Sequence, residues 1–163
     1  MDSQQPLRDQ LVALLQGGHA HMGFAEAVAD FPPAMINTRP PRVPYTFWHL
    51  VEHLRLTQAD ILDYVANPDY RAPSWPEDYW PPREAEATWA DWQASVAAFQ
   101  RDLNALVALV ADEGTDLFAL VPSNPAHNLL REALLVADHN AYHIGELGIL
   151  RQVTNAWPSG HEE

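Results

Sequence analysis

Two histidines four residues apart, His139 and His143, are the pair in this sequence best placed to do chemistry. Side chains at positions i and i+4 of an α-helix project from one face, so both imidazole rings can reach a single metal ion. Imidazole suits zinc, nickel, copper and iron, and zinc-like ions take about four ligands. The pair is therefore an incomplete metal site, and another part of the chain must supply a further ligand.

Residues 45–66 offer that ligand through His53 or through His49. The pattern predicts a helix here, with Thr46 as the N-cap and with its end before Pro68. His53 lies beside the apolar stripe of this helix and so points towards a neighbouring helix. His49 lies one turn nearer the helix start. Both histidines stay open as the third ligand on this reasoning alone.

The helix that carries the histidine pair is predicted from about residue 128 to residue 154. Residues 133–137 are apolar on every side, which indicates a deeply buried helix. Burying His139, His143 and Glu146 in such a helix is costly unless each side chain finds a partner. This setting favours a metal site. The alternative is a pair of buried histidines held only by hydrogen bonds to carboxylates or carbonyls.

Carboxylates lie close enough in sequence to support the candidate ligands. Each of three is adjacent to a histidine or one turn away from it: Glu52, Asp138 and Glu146. Such groups commonly accept a hydrogen bond from the second nitrogen of a metal-bound imidazole. Glu146 or His49 is also a candidate to orient a bound ligand or to move a proton.

Two further helices complete the predicted scaffold. Apolar residues at three- and four-residue spacing predict a first helix over residues 6–31, interrupted by Gly17 and Gly18. A regular apolar stripe predicts a third helix over residues 89–110, and Thr88 with Asp91 resembles a capping box at its start. This third helix contains no histidine and is interpreted as core.

The segments between the helices are rich in proline. Residues 67–83 contain five prolines and four aromatic residues, and a connection of this length allows the second and third helices to run parallel. The aromatic residues are expected to pack over one end of the bundle, or alternatively to form a lid or pocket wall. Residues 115–127 are predicted to be a loop. Four long helices without a convincing strand pattern predict an all-α fold, a four-helix bundle formed by residues 1–163 as one domain.

Composition narrows the functions that this chain can have. Twenty-two acidic and nine basic residues give a net charge of −13, which argues against nucleic acid and against anionic membranes as partners. No apolar run approaches a membrane span of ~20 residues, and the first residues lack the features of a secretion signal, so a cytoplasmic location is expected. The chain has no cysteine and no lysine, which excludes a cysteine nucleophile and a lysine Schiff base.

Two segments carry a resemblance to a known family. Residues 129–147, LLREALLVADHNAYHIGEL, resemble the C-terminal helix of the DinB/YfiT-like superfamily, and residues 50–54, LVEHL, resemble its first-ligand segment. The resemblance extends to the helix order and the long connection between the second and third helices. It implies an up-down-down-up four-helix bundle, commonly a homodimer. It also implies one divalent transition metal ion (zinc, nickel or iron) held by His53, His139 and His143.

The resemblance also suggests a class of reaction. Better understood branches of the family are thiol-dependent transferases and isomerases, in which the metal activates the sulfur of a low-molecular-weight thiol. We therefore expect a metalloenzyme that acts on a small-molecule substrate, by transfer or by hydrolysis, with Glu146 or His49 assisting. Because the chain lacks cysteine, any thiol must arrive as a cosubstrate. The alternative is a non-catalytic metal or small-molecule binding protein with a closed site, for instance with His49 as a fourth ligand.

Overall fold

The computed structural model describes residues 4–158, and most of them are helical. These residues form five α-helices and one hairpin of two short antiparallel strands. The helices are α1 (Gln5–Gln16), α2 (Phe24–Val28), α3 (Phe47–Ala66), α4 (Trp89–Ala111) and α5 (Leu129–Val153). The strands are β1 (Leu120–Val121) and β2 (Asn124–Asn128). The prediction of an all-α fold is confirmed, apart from this small sheet.

The four longer helices pack around one apolar core. Helix α3 lies against α4 and α5, and α1 lies against the same two helices. The fully buried apolar side chains between them come mainly from α3, α4 and α5: Phe47, Leu50, Leu54, Phe99, Leu106 and Leu147. Because α3 and α5 are neighbours, side chains on their facing flanks can meet.

Three helices begin at residues whose side chains accept hydrogen bonds from the otherwise unpaired N–H groups of the first turn. Thr46, Thr88 and Asn128 each accept a hydrogen bond from a backbone N–H in the first turn of α3, α4 and α5. The first N–H groups of a helix have no partner within it, so a side-chain acceptor at this position stabilises the start. The predicted starts of these three helices are confirmed for this reason.

The single helix predicted over residues 6–31 is wrong. The chain leaves α1 at Gly17 and Gly18, whose φ angles are 67° and 80°, and becomes helical again only in the short α2. Glycine adopts positive φ at little cost, and this conformation ends an α-helix. Phe24 and Ala27 of α2 are nevertheless buried, so α2 also contributes to the core.

The prediction that residues 115–127 form only a loop is also wrong. Leu120 pairs with Asn128, and Val121 pairs with Asn124, with an irregular register between the two pairs. A strand of two residues is too short to show an alternating apolar pattern. The hairpin leads the chain directly into α5.

The connection between α3 and α4 runs along α3. The hydroxyl groups of Tyr70 and Tyr79 donate to Asp60 near the end of α3, at 2.8 Å in both cases. Further on, Trp80 stacks on His53, near the middle of this helix. Of the two roles considered for these aromatic residues, the structure therefore favours a wall beside the histidines for Trp80.

By length and composition alone, α4 is the one helix within residues 4–158 that could cross a membrane. It has 23 residues and a mean hydropathy of 1.2. This is weak evidence, because the core helix of a soluble protein passes the same test. In the bundle, Trp92, Phe99 and Leu106 of α4 are buried in the shared core.

Candidate metal centre

His53 of α3 meets His139 and His143 of α5 where the two helices pack side by side. One ring nitrogen from each residue lies within 4.8 Å of those of the other two, and in the described part of the chain this is the one such group of His, Asp and Glu residues. The Nε2 atoms of His53 and His139 are 3.2 Å apart. The three histidines named by the family resemblance therefore form one group.

The buried apolar residues of α5 determine the direction in which His139 and His143 point. Val136 and Leu147 are buried in the core, which turns the neighbouring flank of the helix, with His139 and His143, towards α3. The rings of the pair are one turn apart, with centroids separated by 4.6 Å. His53 is 2 % exposed, so the group lies at the edge of the core.

The long connection holds the ring of His53 in place. Nδ1 of His53 is 2.7 Å from the backbone carbonyl oxygen of Tyr79. A carbonyl only accepts hydrogen bonds, so Nδ1 carries the hydrogen and Nε2 keeps its lone pair. The indole of Trp80 stacks on the imidazole, with ring centroids 3.8 Å apart and an angle of 7° between the planes. Both the tautomer and the plane of this ring are therefore set by the connection.

A carboxylate holds the ring of His143. Nδ1 of His143 donates to Oε2 of Glu146 at 2.7 Å. The other carboxylate oxygen, Oε1, accepts a hydrogen bond from the hydroxyl of Tyr45. Tyr45 in turn stacks on Trp80, with ring centroids 5.0 Å apart. A carboxylate bound to the second nitrogen of a metal-ligating histidine is a common arrangement, since it orients the ring. Burial raises the pKa of Glu146.

The third ring, that of His139, lies beside a hydroxyl. Thr57 donates its hydroxyl hydrogen to the backbone carbonyl of His53 at 2.9 Å, so its oxygen is free to accept. Nδ1 of His139 is 3.5 Å from this oxygen, the longest of the three contacts at Nδ1. All three Nδ1 atoms therefore have an acceptor nearby.

The three imidazoles are neutral at neutral pH. Burial and the neighbouring His53 lower the pKa of His139 to about 4. Burial and the other two histidines lower the pKa of His143 to about 3. Burial also lowers the pKa of His53. Neutral imidazole is the form that binds a metal ion, because the lone pair must be available.

The donor set fits a divalent transition metal ion. Metal–nitrogen distances of 2.0–2.1 Å in a tetrahedral site place two nitrogen atoms about 3.3 Å apart. The separation of 3.2 Å between Nε2 of His53 and Nε2 of His139 agrees with this value. With both rings protonated on Nδ1, the two Nε2 lone pairs would face each other and repel at this distance, and a cation between them would remove the repulsion. Nitrogen donors of this kind suit zinc, nickel or iron.

His49 lies outside the group. Its Nε2 is 2.9 Å from the carbonyl oxygen of Ala85, and its Nδ1 accepts from the backbone N–H of Thr46 at 3.4 Å. The second contact completes a capping box at the start of α3. Both ring nitrogens therefore have partners, and the structure does not bring this histidine to the other three.

The carboxylates adjacent to the histidines also separate. Glu52 points away from the group: it pairs with Arg55 of its own helix at 2.5 Å and accepts from Ser95 of α4 at 2.6 Å. Asp138 acts on His139 through its charge, which raises the pKa of that imidazole against the larger effect of burial. Of the three carboxylates, Glu146 is the one that hydrogen-bonds a histidine of the group.

Sequence reasoning missed Thr57 and Tyr45, and it considered Tyr79 and Trp80 only among the aromatic residues that pack over a bundle end or form a lid or pocket wall. Thr57 was detectable, because it follows His53 by four residues and so shares its helix face. Tyr45 and Trp80 approach from segments outside the helices, whose course no periodic pattern predicts. Tyr79 acts through its backbone carbonyl, so the type of its side chain carries no signal.

The fold and the site define a mainly helical protein with a three-histidine group compatible with metal binding. The family profile of the DinB superfamily matches residues 16–147, which is most of the chain. The protein therefore belongs to the DinB superfamily. Neither a curated protein nor a solved structure matches the chain significantly.

Proposed function

We propose that this protein is a metalloenzyme in which His53, His139 and His143 hold one divalent transition metal ion and which acts on a small molecule. One observation carries the proposal: the ring nitrogens of three neutral imidazoles converge, while each Nδ1 lies beside an acceptor. A merely structural histidine needs hydrogen-bond partners when buried. Such a histidine gains no stability when the nitrogen lone pair of a second histidine points at its own lone pair.

The residues around the group have separate tasks in this proposal. When bound, the metal supplies Lewis acidity and lowers the pKa of a water or small thiol. Three histidine ligands leave one position of a four-coordinate site open. Both carboxylate oxygens of Glu146 are hydrogen-bonded, one to His143 and one to Tyr45. In this proposal Glu146 therefore orients the imidazole ring of His143. The hydroxyl of Tyr45 is then the group best placed to exchange a proton at this end of the site.

The reaction is either transfer that uses a low-molecular-weight thiol or hydrolysis by water. Both are open to a chain without cysteine, because the nucleophile comes from solution. An assay of the metal-loaded protein against candidate electrophiles, with and without added thiol, separates the two. Turnover that needs both the metal and the thiol is the expected result for a transferase, and turnover without thiol is expected for a hydrolase.

Metal content tests the proposal itself. Elemental analysis of the purified protein is expected to give about one transition metal ion per chain, and the double change His139→Ala, His143→Ala is expected to abolish binding. Full occupancy in the double variant would refute the assignment. A closed site with His49 as fourth ligand is the alternative, and the partners of both nitrogens of His49 argue against it.

We also propose the up-down-down-up order of helix directions. Later residues of α3 contact later residues of α4, so these two helices run parallel. Later residues of α3 contact earlier residues of α5, so this pair runs antiparallel. Arg8, near the start of α1, donates to Val110 at the end of α4, which supports opposite directions for this pair. The other supporting contacts are Trp48–Ser95, Gln58–Phe99, Tyr45–Glu146 and Gln58–Asn140.

A further inference from the structure

The surroundings of the three histidines are aromatic. Trp80 covers the ring of His53. Tyr142 stands at the outer rim, with its ring nearly perpendicular to that of His143 at a centroid distance of 4.9 Å, and it is 72 % exposed. Its position leaves one broad aromatic face towards solvent beside the group. A molecule that approaches the histidines from this side therefore meets apolar, planar surfaces.

Among the described residues, no arginine is hydrogen-bonded or ion-paired to the groups around the three histidines. The chain has no lysine, so arginine is its one permanently cationic side chain. No hydrogen bond or ion pair between described residues joins an arginine to the three histidines, Glu146 or the aromatic residues beside them. The ion pairs that arginines form between described residues are with other acidic side chains: Arg39 and Arg83 with Glu84, Arg55 with Glu52, Arg101 with Asp102 and Arg131 with Glu132.

The electrostatics of the group agree with this picture. The pKa values of the three histidines are shifted by burial, by one another, by a backbone hydrogen bond and by Asp138, and that of Glu146 by burial alone. No arginine contributes to any of them. By contrast, the nearby His49 does feel the charge of Arg39.

A groove next to the histidine group is also lined mostly by apolar residues and contains no basic residue in its lining. An open cavity of about 430 Å³ shares Trp80 with the histidine site and is otherwise lined by Pro76, Glu77, Pro81 and Pro82. The single charged group in its lining, Glu77, is acidic. A larger groove of about 630 Å³ lies between α2 and α4 and includes none of the three histidines. Neither groove is lined by a histidine of the group, but the smaller one adjoins the group through Trp80, so it is the one placed to hold the body of a molecule bound at the histidines.

We propose that the small molecule taken by this site is uncharged apart from the atom that meets the metal, and that its body is aromatic or apolar. The inference rests on the proposed function. A carboxylate or phosphate on the substrate would lose water beside Glu146 and Glu77 without gaining a cation, which is unfavourable. A planar body gains contact with Trp80 and Tyr142 instead. For a thiol cosubstrate, this selects a neutral thiol over one with carboxylates.

Two thiols of the same shape test the proposal: phenylmethanethiol and 4-(mercaptomethyl)benzoate, which differ by one carboxylate. Their binding to the cobalt(II)-loaded full chain is followed through the absorption of the cobalt centre and by calorimetry. We expect the uncharged thiol to bind at least tenfold more tightly. Equal affinity, tighter binding of the carboxylate, or binding of neither thiol by the cobalt-loaded chain would overturn the inference.

A pair of arginine variants localises the effect. Tyr142→Arg places a cation at the rim of the site and is expected to reduce the preference for the uncharged thiol at least fivefold. Val153→Arg is the matched control, because it adds the same charge at an exposed position of the same helix, ten residues or about 15 Å beyond His143. At 0.15 M salt this is more than one Debye length of about 8 Å, so the preference is expected to stay unchanged. An equal effect of both variants would show that net charge, and not the lining, sets the preference.

Cobalt content separates this inference from the proposed function. If the unmodified chain fails to bind cobalt, the metal site itself is refuted. If the chain binds one cobalt ion but prefers the carboxylate thiol, only the substrate class is refuted. Each variant is therefore analysed for cobalt before its thiol affinities are compared.

Discussion

His53 and His49 lie one turn apart on α3 and have different surroundings. His53 shares the group with His139 and His143, whereas His49 bonds Ala85 and caps the helix. We expect His53→Ala to weaken metal binding by several kcal/mol, the scale of losing a ligand from a tight site. His49→Ala is expected to change affinity by less than about tenfold, or ~1.4 kcal/mol. Competition with a chromophoric chelator measures both.

Reversed effects of these two variants would contradict the assignment of the third ligand. Large losses from both would favour a closed four-histidine site, and with it a binding protein over an enzyme. Thermal unfolding serves as the control for folding, because His49→Ala also removes one hydrogen bond of the capping box.

Glu146 is expected to act through His143. Glu146→Gln replaces a charged acceptor of the Nδ1–H group by a weaker neutral one, and losing such a partner typically lowers metal affinity by about 10- to 100-fold. Glu52→Gln is the matched control, because Glu52 is adjacent to His53 in sequence but faces α4. We expect the control to bind metal as the unmodified chain does. Equal metal affinity of Glu146→Gln and the unmodified chain would show that this carboxylate does not orient the ring.

The low pKa values of the histidines predict an unusual pH dependence of metal binding. Protons compete with the metal only where the free imidazoles are protonated. Because burial and neighbouring rings lower the pKa of His139 to about 4 and of His143 to about 3, little competition exists at neutral pH. Because burial also lowers the pKa of His53, we expect the affinity to stay constant from about pH 7.5 to below the usual imidazole pKa of about 6.5 and to fall only at lower pH. Titrations across this range measure it, and a decline that already begins near pH 6.5 would indicate ordinary imidazoles.

At the scale of elements, the site joins two helices and the connection between α3 and α4. His53 comes from α3, the other two histidines from α5, and Tyr79 and Trp80 from the connection. A metal ion bound here would therefore link segments that are distant in sequence. Any ion that binds the folded chain and not the unfolded chain stabilises the fold by mass action.

Metal removal is therefore expected to destabilise the fold. At a free metal concentration 100 times the Kd, the stabilisation is ~2.7 kcal/mol. For a chain of this size, this corresponds to an increase in Tm of about 5–10 °C. Thermal scans with saturating metal and with chelator measure the difference. The double variant His139→Ala, His143→Ala is expected to show no shift, and an equal shift in this variant would place the stabilising ion elsewhere.

At the scale of the whole molecule, charge opposes self-association. The family resemblance predicts a homodimer, and each chain carries a net charge of −13. Two such chains repel, and salt screens the repulsion over about 8 Å at 0.15 M and about 30 Å at 0.01 M. We expect a dimeric mass by light scattering at micromolar concentration and 0.15 M salt, with partial dissociation at 0.01 M. A monomeric mass at both salt concentrations would contradict the prediction.

Local order in the sequence was enough to predict much of the scaffold. The starts of α3, α4 and α5 follow from Thr46, Thr88 and Asn128, because a cap depends only on residues within one turn. The spacing of His139 and His143 likewise places both rings on one face before any packing is known. The first helix was mispredicted because Met22, Ala25 and Val28 continue the apolar spacing beyond the glycine break.

The tertiary structure decided between the partners that local patterns left open for the histidine pair. The family resemblance named His53, but spacing alone kept both His49 and His53, and the choice depended on how α3 is rotated against α5. The course of the long connection, which brings Ala85 to His49 and Trp80 to His53, depends on contacts between residues far apart in sequence. Periodicity and capping describe neighbours along the chain, so they predict the helices and their faces. The completed site arises from packing between segments, which local patterns do not encode.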